Sequence, residues 1–295
     1  MTIRLIFICG ALLATGTLLV AQSRQASSSP GLRDPNGRWE ITNISSLLLD
    51  AVKRPRITFE ASGQPLRGSS RAQNLTFSAQ SATGAFVEER GGGLRLIEAL
   101  LTGNVRMEVT GKDRSGEPTR SDIQTASAEL KANANSGTIT LPDSFTFVNQ
   151  ATTQGKNRSG SRNFQIEGRG GIFELKGEAR GTQEITSATI RGPVRLTLDS
   201  TTLVEGADGS SEREDTKIIA TGNSLTYTAS TGTFLMTGNI KIDGDRQSGQ
   251  AGYLGSLTGE RLEIKVDKSF DVISMRLSAG QATVEQKPTK ETPKR

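Results

Sequence analysis

The chain reads as an all-β protein, on three observations. Apolar and polar residues alternate with a period of two along most of its length. Glycine is abundant, at 33 residues, and threonine and serine recur throughout, whereas aromatic residues make up only 4%. No stretch after residue 50 holds a helical period. That mixture suits many short strands joined by tight turns, each strand apolar on one face only.

Residues 1–22 form an export segment. Arg4 supplies a positive start, and Leu5 to Val20 an uncharged apolar run. Cleavage near Ala21 or Gln22 would make it a signal peptide. Retention would make it a single-span N-terminal anchor, because the run approaches bilayer-spanning length. Either outcome delivers the rest of the chain outside the cytoplasm. Residues 23–36, rich in Ser, Gln, Pro and Gly, read as a linker, and 286–295, rich in Lys, Pro and Thr, as a disordered tail.

Between these ends the elements follow the alternation. Ile44 to Val52 is the one stretch compatible with a short helix, and Leu94 to Leu101 fits either period. Leu75 and Phe77 begin a hairpin that ends in Ala82-Thr83-Gly84. Val105, Met107 and Val109 alternate with Arg106, Glu108 and Thr110; Val194, Leu196 and Leu198 with Arg195, Thr197 and Asp199; Leu262, Ile264 and Val266 with Arg261, Glu263, Lys265 and Asp267. Each is a strand with one apolar and one wet face. The best-marked unit runs from Ile218 to Asp243. Leu225 and Tyr227 lie on one strand, Ser230-Thr231-Gly232 turns the chain, and Phe234, Met236, Ile240 and Ile242 follow on the return. Leu101-Thr102-Gly103-Asn104-Val105 repeats the Thr-Gly-Asn-apolar step of Thr237 to Ile240. Looser copies over 121–148, 161–181 and 256–277 suggest repeated hairpins at roughly 40–55-residue spacing. A hairpin with one apolar face is not stable alone, so successive hairpins must share an interior. A cluster of Thr, Gly, Asn and Ser near Gln150 to Arg162 places a boundary between a first β module, 37–150, and a second, 151–285.

Composition removes several function classes. The chain has no histidine, so His-based triads, His general bases and the common zinc sites are excluded. Its one cysteine, Cys9, lies in the export segment, so a cleaved chain has neither thiol nor disulfide. The net charge of +5 is spread along the chain, with no basic block interleaved with aromatics, which gives nucleic acid no evident footprint. Asp243-Gly244-Asp245 opens like a calcium loop, but the ligand pattern stops at Arg246 and Gln247, and a turn is the better reading. Gly91-Gly92-Gly93 and Arg169-Gly170-Gly171 read as loops rather than nucleotide cradles, because neither opens a helix after a strand. No catalytic residue, metal site or cofactor is indicated.

Thr221-Gly222-Asn223-Ser224-Leu225-Thr226-Tyr227, then Ser230-Thr231-Gly232, then Met236-Thr237-Gly238-Asn239-Ile240 resemble the recurring phrase of the OstA-like family. That family contains the LptA- and LptC-type periplasmic proteins of lipopolysaccharide transport. The match is best over 218–266, fair over 101–148 and faint elsewhere. The resemblance implies an open β-jellyroll, two sheets forming a V-shaped groove, in one module or two. It also implies a periplasmic, non-catalytic role, carrying or bridging lipopolysaccharide or another acylated lipid from the inner to the outer membrane. Partners would be like β-jellyroll proteins, or further copies of this chain, joined by edge-strand pairing. The inner membrane would be a further partner if the N-terminal segment is retained. On that reading the groove is lined by Val105, Met107, Leu225, Tyr227, Phe234, Met236, Ile240, Ile242, Leu262, Ile264 and Val266. The alternative is an envelope or surface β-protein of structural, adhesin-like character, in which the same residues close on one another as an ordinary core.

Overall fold

The computed structural model describes residues 31–33, 39–50, 56–61, 63–70, 74–88, 93–112, 118–133, 136–154, 158–177, 183–205, 211–248, 251–266, 272–278 and 280–287. Among them there are strands and no helix. The strands are β1 (Gly31–Arg33), β2 (Trp39–Thr42), β3 (Ser46–Asp50), β4 (Arg56–Ala61), β5 (Leu66–Ser70), β6 (Leu75–Ala79) and β7 (Ser81–Glu88). Then come β8 (Leu94–Lys112), β9 (Pro118–Ala132), β10 (Ser136–Gln154), β11 (Arg158–Gly177), β12 (Gln183–Ile190) and β13 (Val194–Glu205). The last are β14 (Ser211–Gly222), β15 (Ser224–Thr228), β16 (Thr233–Ser248), β17 (Ala251–Val266), β18 (Val272–Ser278) and β19 (Gln281–Lys287).

Every pairing is antiparallel, and the pairings sort into two series. The first wall runs β1, β2, β5, β6, β8, β9, β10, β11, β13, β14, β16, β17, β19. The second runs β3, β4, β7, β8, β9, β10, β11, β12, β15, β16, β17, β18. Six long strands (β8, β9, β10, β11, β16 and β17) belong to both, giving one half to each wall. Between β11 and β16 the two routes meet, which closes a six-strand ring of β11, β13, β14, β16, β15 and β12. The other strands extend outward from that ring.

Bulges let a strand pass from one wall to the other. In β8, Gly103 and Asn104 stand against the single residue Ala126 of β9; in β16, Gly238 and Asn239 stand against Glu260 of β17. Pro142 and Asp143 of β10 likewise oppose Gly170 of β11. Two residues against one bend a strand and sharpen its twist. Both Thr-Gly-Asn copies adopt the same left-handed backbone, with φ 75° and 48° at Gly103 and Asn104 and 77° and 51° at Gly238 and Asn239. The repeat read in the sequence is therefore a repeated corner inside a strand.

The all-β expectation is met, but the strands are longer than the sequence suggested, reaching 20 residues in β11. Several glycine-containing stretches expected to end hairpins lie inside strands instead. Thr83-Gly84 is within β7, where a Cβ on Gly84 would come within 2.6 Å of the Phe59 ring. Asp243-Gly244-Asp245 and Arg169-Gly170-Gly171 sit within β16 and β11. Of the stretch compatible with a helix, residues 46–50 are β3, and Leu94 to Leu101 begins β8. The expected boundary at 150/151 falls inside β10, whose pairing with β11 runs through it without a break. Thr152 and Thr153 of β10 and Ser159 and Ser161 of β11 occupy strand positions. Likewise β1 lies in the segment read as linker, with Leu32 buried against the core, and β19 includes Gln286 and Lys287 of the expected tail. Residues 1–22, read in the sequence as an export segment, lie outside the described residues, as do 288–295.

Candidate functional site: an apolar interior between two walls

Alternation puts one apolar row along the inner face of each wall. In the first, Leu32, Ile41, Gly68, Phe77, Met107, Ile123, Phe147, Ile166, Leu196, Ala220, Ile242 and Leu257 are cross-strand partners in succession. In the second, the succession is Leu47, Phe59, Gly84, Ala99, Leu130, Ile139, Phe173, Ala188, Tyr227, Phe234, Ile264 and Met275. Neither row contains a polar side chain other than the Tyr227 phenol. The inner faces of the two walls meet: Phe147 and Phe173 of the two rows lie 6.1 Å apart between centroids, and beside them Phe145 meets Phe173 at 5.7 Å and Phe164 meets Phe234 at 5.1 Å. Tyr227 stacks on its cross-strand partner Phe234 at 4.4 Å.

All eleven residues expected to line a groove point into this interior. Val105, Met107, Leu225, Phe234, Met236, Ile240, Ile242, Leu262, Ile264 and Val266 are buried, and Tyr227 is half-buried against the same cluster. The interior is largely filled by its own side chains. Between the walls lies a small cleft, open in part to solvent, whose free space is about 10 Å³, roughly that of one water. Phe164, Leu196, Leu198 and Ile218 line it from the first wall, and Phe234, Ile264, Val266 and Met275 from the second. Sequence reasoning identified Phe234, Ile264 and Val266 but not the other five. The strand of Leu196 and Leu198 was legible by its period. What set them beside Phe234 is the folding of β13 over β16, which no local pattern records.

Hydroxyl pairs hold the corner beside this interior. Ser81 and Thr102 Oγ atoms lie 2.6 Å apart, and so do those of Ser224 and Thr237, one residue before each Gly-Asn bulge. The Gln80 N–H donates to Gly103 O at 2.8 Å, and the Asn223 N–H to Thr237 O and Gly238 O, each at 3.0 Å. Thr125 Oγ1 donates to Ser127 O and Ser144 O at 3.1 and 3.2 Å, bridging β9 to β10 where they bend. These bonds satisfy polar groups that a bent ladder leaves without their regular partners.

The outer faces are wet and carry ion pairs, most between residues two apart on one strand and one, Arg120 to Glu108, across from β9 to β8. Arg120 pairs with Asp122 at 2.9 Å and with Glu108 at 3.1 Å; Arg213 pairs with Asp215 at 2.9 Å and Lys241 with Asp243 at 3.1 Å. The Thr201 hydroxyl and then Arg213 hold the Asp215 carboxyl below its ordinary range. Lys241, followed by Ser256, does the same for Asp243. All lie at the surface, exposed or partly so, and contribute little to stability. No cluster of acidic or thiol side chains able to hold a metal occurs among the described residues. No family model, curated protein or solved structure matches this chain.

Proposed function

We propose that this chain is a non-catalytic periplasmic lipid-binding protein. It carries or bridges lipopolysaccharide, or another acylated lipid, from the inner to the outer membrane along the interior between its walls. The observation that carries the reading is the pair of apolar rows, unbroken strand by strand, which end at edges rather than at caps. At one edge Leu47 faces inward on β3 and is 41% exposed, and β3 pairs on one side only among the described residues. At the other, β18 and β19 each pair only with β17 among the described residues. An apolar path open at its ends is costly in water and suits an acyl chain, which weak, non-directional contacts hold without fixing. The free edges suit strand pairing with another β-jellyroll protein or a second copy, which would continue the path. On this reading the two walls form a jellyroll groove that parts to admit lipid. The N-terminal segment either directs export or remains as an anchor in the inner membrane.

The structural, adhesin-like reading has its own support in the six-strand ring and in inner-face residues that are mostly fully buried. Incubation of the purified protein with lipopolysaccharide separates the two. Lipid between the walls gives a complex stable to gel filtration, with altered amide exchange over Leu225 to Met236. A protein that forms no complex and shows unchanged exchange has a closed core, and transport is then rejected.

A further inference from the structure

The outer side of the corner carries a charge pattern of its own. In the outward row of the first wall nearest the corner, Ser78 separates Arg67 from Arg106, and Thr221 separates Arg195 from Lys241. Between these pairs the row holds Gln124, Thr146 and one carboxylate, Glu167. The paired cations thus stand two strand spacings apart, about 10 Å, rather than directly opposite, where like charges destabilise a sheet. Two more arginines join the row where β11 gives way to β12 and β13. The Arg191 N–H donates to Gly170 O at 3.3 Å, and a Cβ on Gly192 would lie 2.9 Å from Arg169 O. Arg169 and Arg191 therefore flank one tight turn, and Arg195 follows it.

Arg67, Arg106, Arg169, Arg191 and Arg195 are all exposed, and none forms an ion pair among the described residues. The carboxylates nearby are engaged by other groups. Gln165 Nε2 donates to Glu167 at 2.7 Å, and the Ser127 hydroxyl donates to Asp143. Arg120 holds Glu108 and Asp122, and Lys241 holds Asp243, on which Arg195 has a lesser pull. The row offers no aromatic ring to stack a base and no apolar side chain to anchor a protein partner. Unpaired guanidiniums on the convex side of a bend suit a broad surface of negative charge.

We propose that the outer side of this corner docks on an anionic lipid bilayer, its arginines meeting the phosphates of the headgroups. The contact is electrostatic and lies outside the walls, so it draws nothing from what the interior holds. Each basic side chain brought to such a surface raises partitioning about fivefold.

The test is co-sedimentation of the full chain with vesicles of phosphatidylcholine and with vesicles of equal parts phosphatidylcholine and phosphatidylglycerol. The N-terminal apolar run is present in every variant, so changes in the anionic-to-neutral preference read the corner. The parent chain should prefer the anionic vesicles, and high salt should abolish the preference. Arg169→Gln, Arg191→Gln and Arg195→Gln together should lower it roughly a hundredfold. Arg67→Gln with Arg106→Gln should lower it roughly twentyfold, which keeps the test in force if the triple variant does not fold. Lys131→Gln, Arg213→Gln and Lys265→Gln remove as much charge from exposed positions away from the corner. That control should keep most of the preference. No preference in the parent, an unchanged preference in both arginine variants, or an equal loss in the control overturns the proposal. Tighter binding of a single-stranded oligonucleotide than of the anionic vesicles overturns it as well. None of these variants touches the interior, so the lipid-binding reading stands or falls separately.

Discussion

The rings of Phe164 and Phe234 meet at 5.1 Å, although one belongs to β11 in the first wall and the other to β16 in the second. Both are buried, at 5% and 2% exposure, and both line the cleft. This pair therefore clamps the two walls together beside the space into which a ligand would enter. Phe164→Ala is expected to destabilise the fold by about 3–5 kcal/mol in denaturant unfolding. The double variant with Phe234→Ala should cost less than the sum, since the residues share a contact. Additive effects would mean that the walls do not depend on this pair.

The corner makes a graded prediction. Gly103 and Gly238 combine a left-handed backbone with a crowded site: a Cβ would lie 2.3 Å from Gln80 Oε1 in the first case and 2.7 Å from Asn223 Nδ2 in the second. Alanine at either should cost about 1–2 kcal/mol for the backbone alone, with a further penalty for the contact. Gly170 has the same backbone sign, with φ 68°, but nothing within 4 Å, so Gly170→Ala should show only the backbone cost. Gly244 has neither constraint and should tolerate alanine. Thermal unfolding of the four single variants checks the order.

The two hydroxyl pairs should behave alike, because they hold equivalent corners. Ser224→Ala and Ser81→Ala are each expected to cost about 1 kcal/mol, the usual worth of one such hydrogen bond. A large difference between them in chemical denaturation would show that the two Thr-Gly-Asn corners are not equivalent.

Acid should weaken the fold through the outer faces. The carboxyls of Asp215 and Asp243 are held below their ordinary value of 3.8 in the folded chain. A folded value lower than the unfolded one adds stability above the unfolded value, and that stability is lost as pH falls through the folded value. The contribution is small because both side chains are exposed. The melting temperature should drop below about pH 4, and the double variant Asp215→Asn, Asp243→Asn should flatten that drop. An unchanged slope in the double variant would place the acid sensitivity elsewhere.

Much of the fold was legible because alternation is local. Leu262, Ile264 and Val266, or Leu225 and Tyr227, declare their inward face without knowledge of their partners. The turn at Ser230-Thr231-Gly232 was equally legible: it forms with Gly232 at φ 61° and its N–H donating to Ala229 O at 3.2 Å. The corners were visible as a repeat, but their bend was not, because Gly-Asn serves a bulge and a hairpin turn by the same left-handed backbone. Only the partner strand distinguishes the two. The cleft was half legible, since Phe164 and Leu198 meet Phe234 and Ile264 through pairings that span tens of residues.

The central claim, that lipid occupies the space between the walls, is tested most directly by photo-crosslinking in cells. A photoreactive residue replaces Met236 or Ile264, both buried inward, and in controls Thr226 or Lys265, both exposed on the outer face. The account predicts covalent lipopolysaccharide adducts at the two inward positions and none at the controls. A folded, exported protein with no adduct at either inward position would contradict it.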